Sequence, residues 1–237
     1  MSRQHLVARL CTTTLIVGAL VLAACGGAAS VTAAPAAAPT ATVAQTTEVP
    51  PTGAATGQAW TISDKSKATV RVREQLAALS FPSDAVLVAT GAKGGFQLND
   101  NGTFASGSKV TFDVSSLTSD SSLRDGFVKM TVLGARQFPT AMFVPTKVAG
   151  LTLPLPASGT FTFALGGRLT IHGVDKDVAF DVQATRTGGD LTATATLNPT
   201  VKFGDFGMPT PAAPGRVLSV VDEIKLVIDL VATASKG

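Results

Sequence analysis

Tyrosine is absent from this 237-residue chain, tryptophan occurs once, histidine and cysteine occur twice each, and charged residues make up only 15%. Each shortage closes off a class of chemistry. With so few aromatic platforms for stacking bases and no clustered basic stripe, nucleic acid is not expected as a partner. His5 falls in the first few residues, so His172 is the one imidazole of the remainder. That is thin material for a metal site, and neither a metal nor a cofactor is expected. A serine hydrolase would need His172 as base and a serine on a Gly-x-Ser-x-Gly elbow, which the chain lacks. "GAKGGF" has neither the spacing of a phosphate loop nor a helix after it, and "LNDNG" lacks the further acids of a calcium loop and reads as a turn. Asp222 and Glu223 are adjacent, so they would point to opposite faces of a strand and cannot form a facing dyad. The catalytic list is empty, and an enzyme is not expected.

The opening "MSRQHLVARLCTTTLIVGALVLAAC" carries Arg3 and Arg9 without an acid, then an apolar core, then Ala23-Ala24 before Cys25. This is the pattern of a secretory signal peptide over residues 1–24, too short in its apolar core to span a bilayer comfortably. Leu22-Ala23-Ala24-Cys25 resembles the lipobox of bacterial lipoproteins, in which the cysteine is acylated and becomes the new N-terminus. The other reading is an ordinary exported protein with a cysteine near its cut. On the lipoprotein reading Cys11 is removed and Cys25 carries lipid, so no thiol is left for a disulfide, a metal or a nucleophile. The expected location is the outer face of the cytoplasmic membrane or a periplasmic leaflet. The signal holds two of the 19 basic residues and none of the 16 acids, which leaves 17 against 16, so the pI near 9.0 says little about partners.

Residues 25–58 are mostly Ala, Thr, Pro, Val and Gly with one charge, Glu48. Such a composition cannot offset its ordering entropy, and it reads as an extended tether ahead of a folded domain over residues 59–237.

Folded texture begins at Trp60 and takes a period of two. "ATVRVRE" puts Val70 and Val72 on one face, and "SKVTFDV" does the same with Val110, Phe112 and Val114. The alternation continues through "GTFTFALGGRLTI", "DVAFDV", "DLTATATL" and "VVDEIKLVIDLVA", with turn clusters such as Asn99-Asp100-Asn101-Gly102 between. Short alternating strands and tight turns predict an all-β, antiparallel sheet with one apolar face, closed into a barrel or packed as a sandwich. One stretch is helical in character, Ser121 to Pro139: Ser121 or Ser122 caps it, Phe127, Met130 and Leu133 share a face, and Gly134 stops it. His172 falls in "HGVDKD" between two alternating runs and is expected as a solvated hairpin residue. Arg124 and Asp125 open the helical stretch, as an ion pair and cap or at a pocket mouth.

Five segments then carry a resemblance: "AWTISDKSKATVRV", "SLRDGFVKMTVLGARQFPTAMF", "GRLTIHGVDKDVAFDV", "KFGDFGM" and "VVDEIKLVIDLVA". In order and spacing the set resembles the YceI-like family of exported, lipid-binding proteins, over about residues 59 to 234. The resemblance implies an extended lipocalin-like barrel of about eight antiparallel strands with a short helix at one end and a long apolar cavity. It also implies a long-chain isoprenoid, quinone-like or related amphiphilic ligand. Arg124 and Asp125 match the family's Arg-Asp pair, Phe138-Pro139 and Phe143 its "fP..F" element, and Phe203 to Met208 its "FG" stretch. Where many relatives have Asp-x-x-His-Ser, this chain has Asp64-Lys65-Ser66, and Lys202 stands near the usual arginine. Those departures touch the head-group end more than the fold.

The expected lining is Val70, Val72, Phe112, Val114, Phe161, Phe163, Ile171, Phe180, Leu226 and Ile228, with Arg124 and Asp125 at the mouth. Phe and Leu mixed with many Ala and Val leave room inside a barrel of this size, although small side chains also suit a closed core. Three functions follow from these residues: a membrane-tethered carrier of an isoprenoid-type lipid, a lipid-modifying enzyme using His172 or Asp125, or an interaction module with a filled barrel. The first is preferred, and self-pairing is left open.

Overall fold

The computed structural model describes residues 57–235, so the expected signal peptide, Cys25 and nearly all of the expected tether lie outside the described residues. Eleven strands occur among the described residues. In chain order they are β1 (Gly57–Ile62), β2 (Lys67–Leu76), β3 (Ser83–Ala89), β4 (Lys93–Asn99), β5 (Lys109–Asp113), β6 (Thr140–Ala149), β7 (Ser158–Ile171), β8 (Val174–Thr187), β9 (Asp190–Leu197), β10 (Val217–Val220) and β11 (Lys225–Ala234). Between β5 and β6 lies α1 (Ser122–Phe127), continued by a π turn over Val128–Val132.

Pairing is antiparallel throughout and runs β1-β4-β5-β6-β7-β8-β9-β11, with β1 returning to β11 to close the ring. Closure pairs both edges of the strands in that ring, while β3 and β10 pair along β2 on one side each. Three of the eight strand positions are broken in two. Trp60 pairs with Ala234 and Lys67 with Asp229, so β1 and β2 run in the same sense along β11 as halves of one strand. β3 and β4 repeat this along β2 and β1, and β10 and β11 along β2.

Ser66 mends the first break. Its hydroxyl donates to the Val231 carbonyl (3.1 Å) and accepts from the Val231 N–H (2.9 Å), while the Ser63 N–H donates to the same carbonyl at 2.8 Å. A side chain thereby stands in for the missing strand backbone, which is why a serine can be fully buried here.

The longest hairpin shows the local logic. Fourteen residues of β7 pair in unbroken register with fourteen of β8, from Ser158↔Thr187 to Ile171↔Val174. Along β8, Phe180, Val182 and Ala184 are buried while Asp181, Gln183 and Thr185 face solvent, the period of two that the sequence predicts. The connection is only His172-Gly173, shorter than the expected "HGVDKD". Both residues have positive φ, 53° and 74°, as a primed two-residue turn requires.

The strands run between two ends of different character. At one end lie Gly57, the 188–189 turn and Ala234; at the other lie the tip joining β2 to β3, the His172 hairpin, α1 and the chain from Met208 to Arg216.

Candidate functional site

The second of these ends opens into a cavity of about 1120 Å³. Its walls are apolar: Ala68, Val70 and Val72 from β2, Ala85, Leu87 and Ala89 from β3, Phe112 from β5, and Leu226 and Ile228 from β11. α1 and the π turn form one side, contributing Leu123, Phe127, Val128 and Val132. Small residues on β2 and β3 hold the walls apart, because their side chains end before they reach the axis.

Toward the Gly57 end the same barrel is nearly solid. A separate chamber of about 100 Å³ is lined by Trp60, Phe96, Phe104, Phe161, Phe163 and Phe180 among others. Trp60 stacks on Phe96 at 5.3 Å, and Phe143 meets Phe180 edge to face at 5.1 Å. Val110, Phe143 and Ile228 border both spaces and so form the floor of the cavity. Gly167 permits that floor, since a Cβ there would stand 2.4 Å from the Phe143 ring and 2.5 Å from the Val144 carbonyl.

Polar chemistry gathers near the mouth. Arg124 lies in the first turns of α1, whose N-cap is Ser121. Its guanidinium reaches across to Glu74 on β2, Nη2 to Oε1 at 2.7 Å, and its Nη1 pairs with Asp120. The Glu74 side chain is only 9% exposed and Arg124 18%, whereas Asp120 is 83% exposed. All three line the cavity, and Arg216 lines the same rim. Exposed apolar side chains collect at this end too: Leu79 and Phe81 on the β2 to β3 connection, Leu123 on α1 and Leu218 on β10.

The structure distributes the predicted lining residues between the two spaces. Val70, Val72, Phe112, Val114, Ile171, Leu226 and Ile228 line the large cavity. Phe161, Phe163 and Phe180 do not; they line the small chamber, because alternation says that a side chain points inward but not how far along the axis it sits. Arg124 lines the mouth, while its neighbour Asp125 turns away and accepts hydrogen bonds from the Ser119 N–H (2.8 Å) and hydroxyl (2.6 Å). Successive helical residues differ by about 100° in direction, so the pair cannot share one task. Met130, expected to share a face with Phe127 and Leu133, is 46% exposed while those two line the cavity. The π turn, marked by the Leu133 N–H donating to the Val128 carbonyl, rotates Val128, Val132 and Leu133 onto the cavity instead.

His172 is half-buried rather than solvated. Its Nδ1 lies 3.2 Å from the Phe206 carbonyl, and its ring meets Phe138 edge to face at 4.6 Å, which packs the hairpin tip onto its neighbours. It does not line the cavity. Among the described residues no three His, Cys, Asp or Glu side chains converge as metal ligands. The residue that the sequence reading missed is Glu74.

Comparison with known proteins agrees with this geometry. By structure, the chain is similar to a polyisoprenoid binding domain from Saccharophagus degradans implicated in plant cell wall breakdown, with a TM-score of 0.56 and 9% identity over 75% of this chain and 99% of that one. It is similar also to BcnA of Burkholderia cenocepacia, with a TM-score of 0.50 and 22% identity over 71% and 96%. At these identities the likeness shows the fold. By sequence it is 32% identical over 124 residues to a UPF0312 protein of Pseudomonas putida, an alignment covering 48% of this chain and 59% of the relative. The model of the YceI-like domain matches residues 60–232, nearly the whole described barrel. The chain therefore belongs to the YceI-like family.

Proposed function

We propose that this protein is an exported lipid carrier that holds a long-chain isoprenoid-type lipid, polyisoprenoid or quinone-like, in the cavity between the Phe143 floor and the Arg124 mouth. The observation that carries the reading is the cavity itself, about 1120 Å³ of almost wholly apolar lining within one closed barrel. At the ~30 Å³ that a water-sized group occupies, this is room for on the order of 35 methylene-sized groups. Each such group contributes about 0.8 kcal/mol on leaving water, so a tail can be held without any charged contact. The fold it shares with a polyisoprenoid binding domain supports the same assignment. Acylation of Cys25 would tie the carrier to a membrane with more than one chain, enough for stable anchoring.

Native mass spectrometry of detergent-free protein, followed by organic extraction, tests the reading. A discrete added mass that extracts as a prenyl lipid is expected. Protein that stays unliganded after incubation with prenyl quinones would overturn it. For the anchor, Cys25→Ser should move the protein to the soluble fraction, and continued membrane association would remove that part of the proposal.

A further inference from the structure

Resting on the lipid-carrier reading, we infer that the cavity selects lipids with an uncharged polar head, a hydroxyl or carbonyl, and rejects those ending in phosphate. The selection lies in how Arg124 is already committed. A lone guanidinium at the mouth of an apolar cavity would be a natural phosphate clamp. Here it is bound by Glu74 at 2.7 Å and by Asp120. The two partners differ in what they can do. Asp120, 83% exposed, can swing into water when a ligand enters. Glu74 cannot, because its side chain is 9% exposed and Arg124 is the cation it binds.

A phosphate head brings about −1.5 to −2 of charge. To take Arg124 it would have to sit beside a carboxylate that cannot leave, or displace that carboxylate and strand it in a poorly solvated wall. The other arginine lining the cavity is Arg216, an exposed residue whose attraction water and salt would screen. A neutral head meets none of these penalties. Arginine has five N–H donors and the two ion pairs engage one terminal nitrogen each, so a hydroxyl or carbonyl oxygen can accept one of the remaining hydrogens while the Glu74 pair stays intact. A head at this position leaves the tail to run down toward Phe143.

The test measures binding of two probes with one tail, geranylgeraniol and geranylgeranyl phosphate, to the full chain by displacement of a fluorescent fatty probe. The alcohol is expected to bind at least tenfold more tightly than the phosphate. Glu74→Gln, which frees the guanidinium from its fixed carboxylate, should narrow that ratio at least fivefold by strengthening the phosphate. Equal or tighter phosphate binding by the unaltered protein would overturn the head-group inference while leaving the carrier reading intact. Failure of both probes to displace would overturn the carrier reading and this inference together. The comparison on unaltered protein decides the matter even where Glu74→Gln does not fold.

Discussion

Placing the same large side chain at the two ends of the barrel should change stability in opposite directions. Ala85 on β3 is buried against the large cavity, and Ala184 on β8 is buried against the small chamber. Alanine to phenylalanine adds six carbon atoms, roughly 180 Å³ at ~30 Å³ each. At Ala85 this occupies about a sixth of the 1120 Å³ available, with no need to displace a neighbour. The added ring leaves water for an apolar wall, so lipid-stripped Ala85→Phe should be unchanged or stabilised by up to about 2 kcal/mol. At Ala184 the same atoms need about twice the 100 Å³ present, and overpacking should cost about 1–3 kcal/mol or more. Urea denaturation of lipid-stripped protein reads both values, and the sign at Ala85 is the deciding quantity. If both variants lose stability alike, the upper barrel is filled and the carrier reading goes with it. Ala85→Phe should also shorten the longest prenyl tail that binds, which titration with a series of tail lengths would show.

Other consequences are equally open to measurement. Arg124→Ala strands the Glu74 carboxylate and should cost about 2–3 kcal/mol, the ~3–5 of a fully buried pair discounted for the 18% exposure of Arg124. Replacing both residues by Met should recover most of that loss in the same denaturation assay, and equal losses in the two variants would contradict the account. Ser66→Ala leaves the Val231 N–H without the hydroxyl it donates to and should destabilise by about 1–3 kcal/mol, lowering the melting temperature by several degrees in calorimetry. Asp205 accepts hydrogen bonds from the Lys176 side chain and the Lys202 N–H, which hold its carboxyl below the usual aspartate value. A depressed value means stability that is present above the ordinary aspartate range and lost as pH falls through the folded one. Asp205→Asn should therefore be less stable than the unaltered protein at pH 7, with the gap closing on acidification; a constant gap across the pH series would count against this.

Much of the barrel can be read from alternation alone, as β8 shows with Phe180, Val182 and Ala184 inward. The strands that escape include β3, although Ala85, Leu87 and Ala89 alternate inward along it, and two whose pattern is interrupted. β4 carries Gly94-Gly95, which have no side chain to signal a face, and β6 carries Pro145, tolerated only because the register slips there. The site is legible in direction but not in depth: a period of two assigns Val70 and Phe161 alike to the interior, and only pairing register separates cavity from floor. Glu74 carried a usable signal, since it shares its parity with Val70 and Val72 and is thus an acid on an inward face. The partner that explains it stands fifty residues away, beyond the reach of any local pattern.

The opposed ends of the barrel settle how it can be handled. Gly57 and Ala234 lie together at the aromatic-filled pole, and the mouth lies at the other, on the order of 50 Å away along twenty residues of tilted strand. Labels or surface linkages placed at Gly57 or Ala234 leave the entrance unobstructed. A domain held by Gly57 stands with its entrance pointing away from whatever holds it. To meet that same surface mouth first it must tip over by half a turn, and the length of chain ahead of Gly57 decides whether it can.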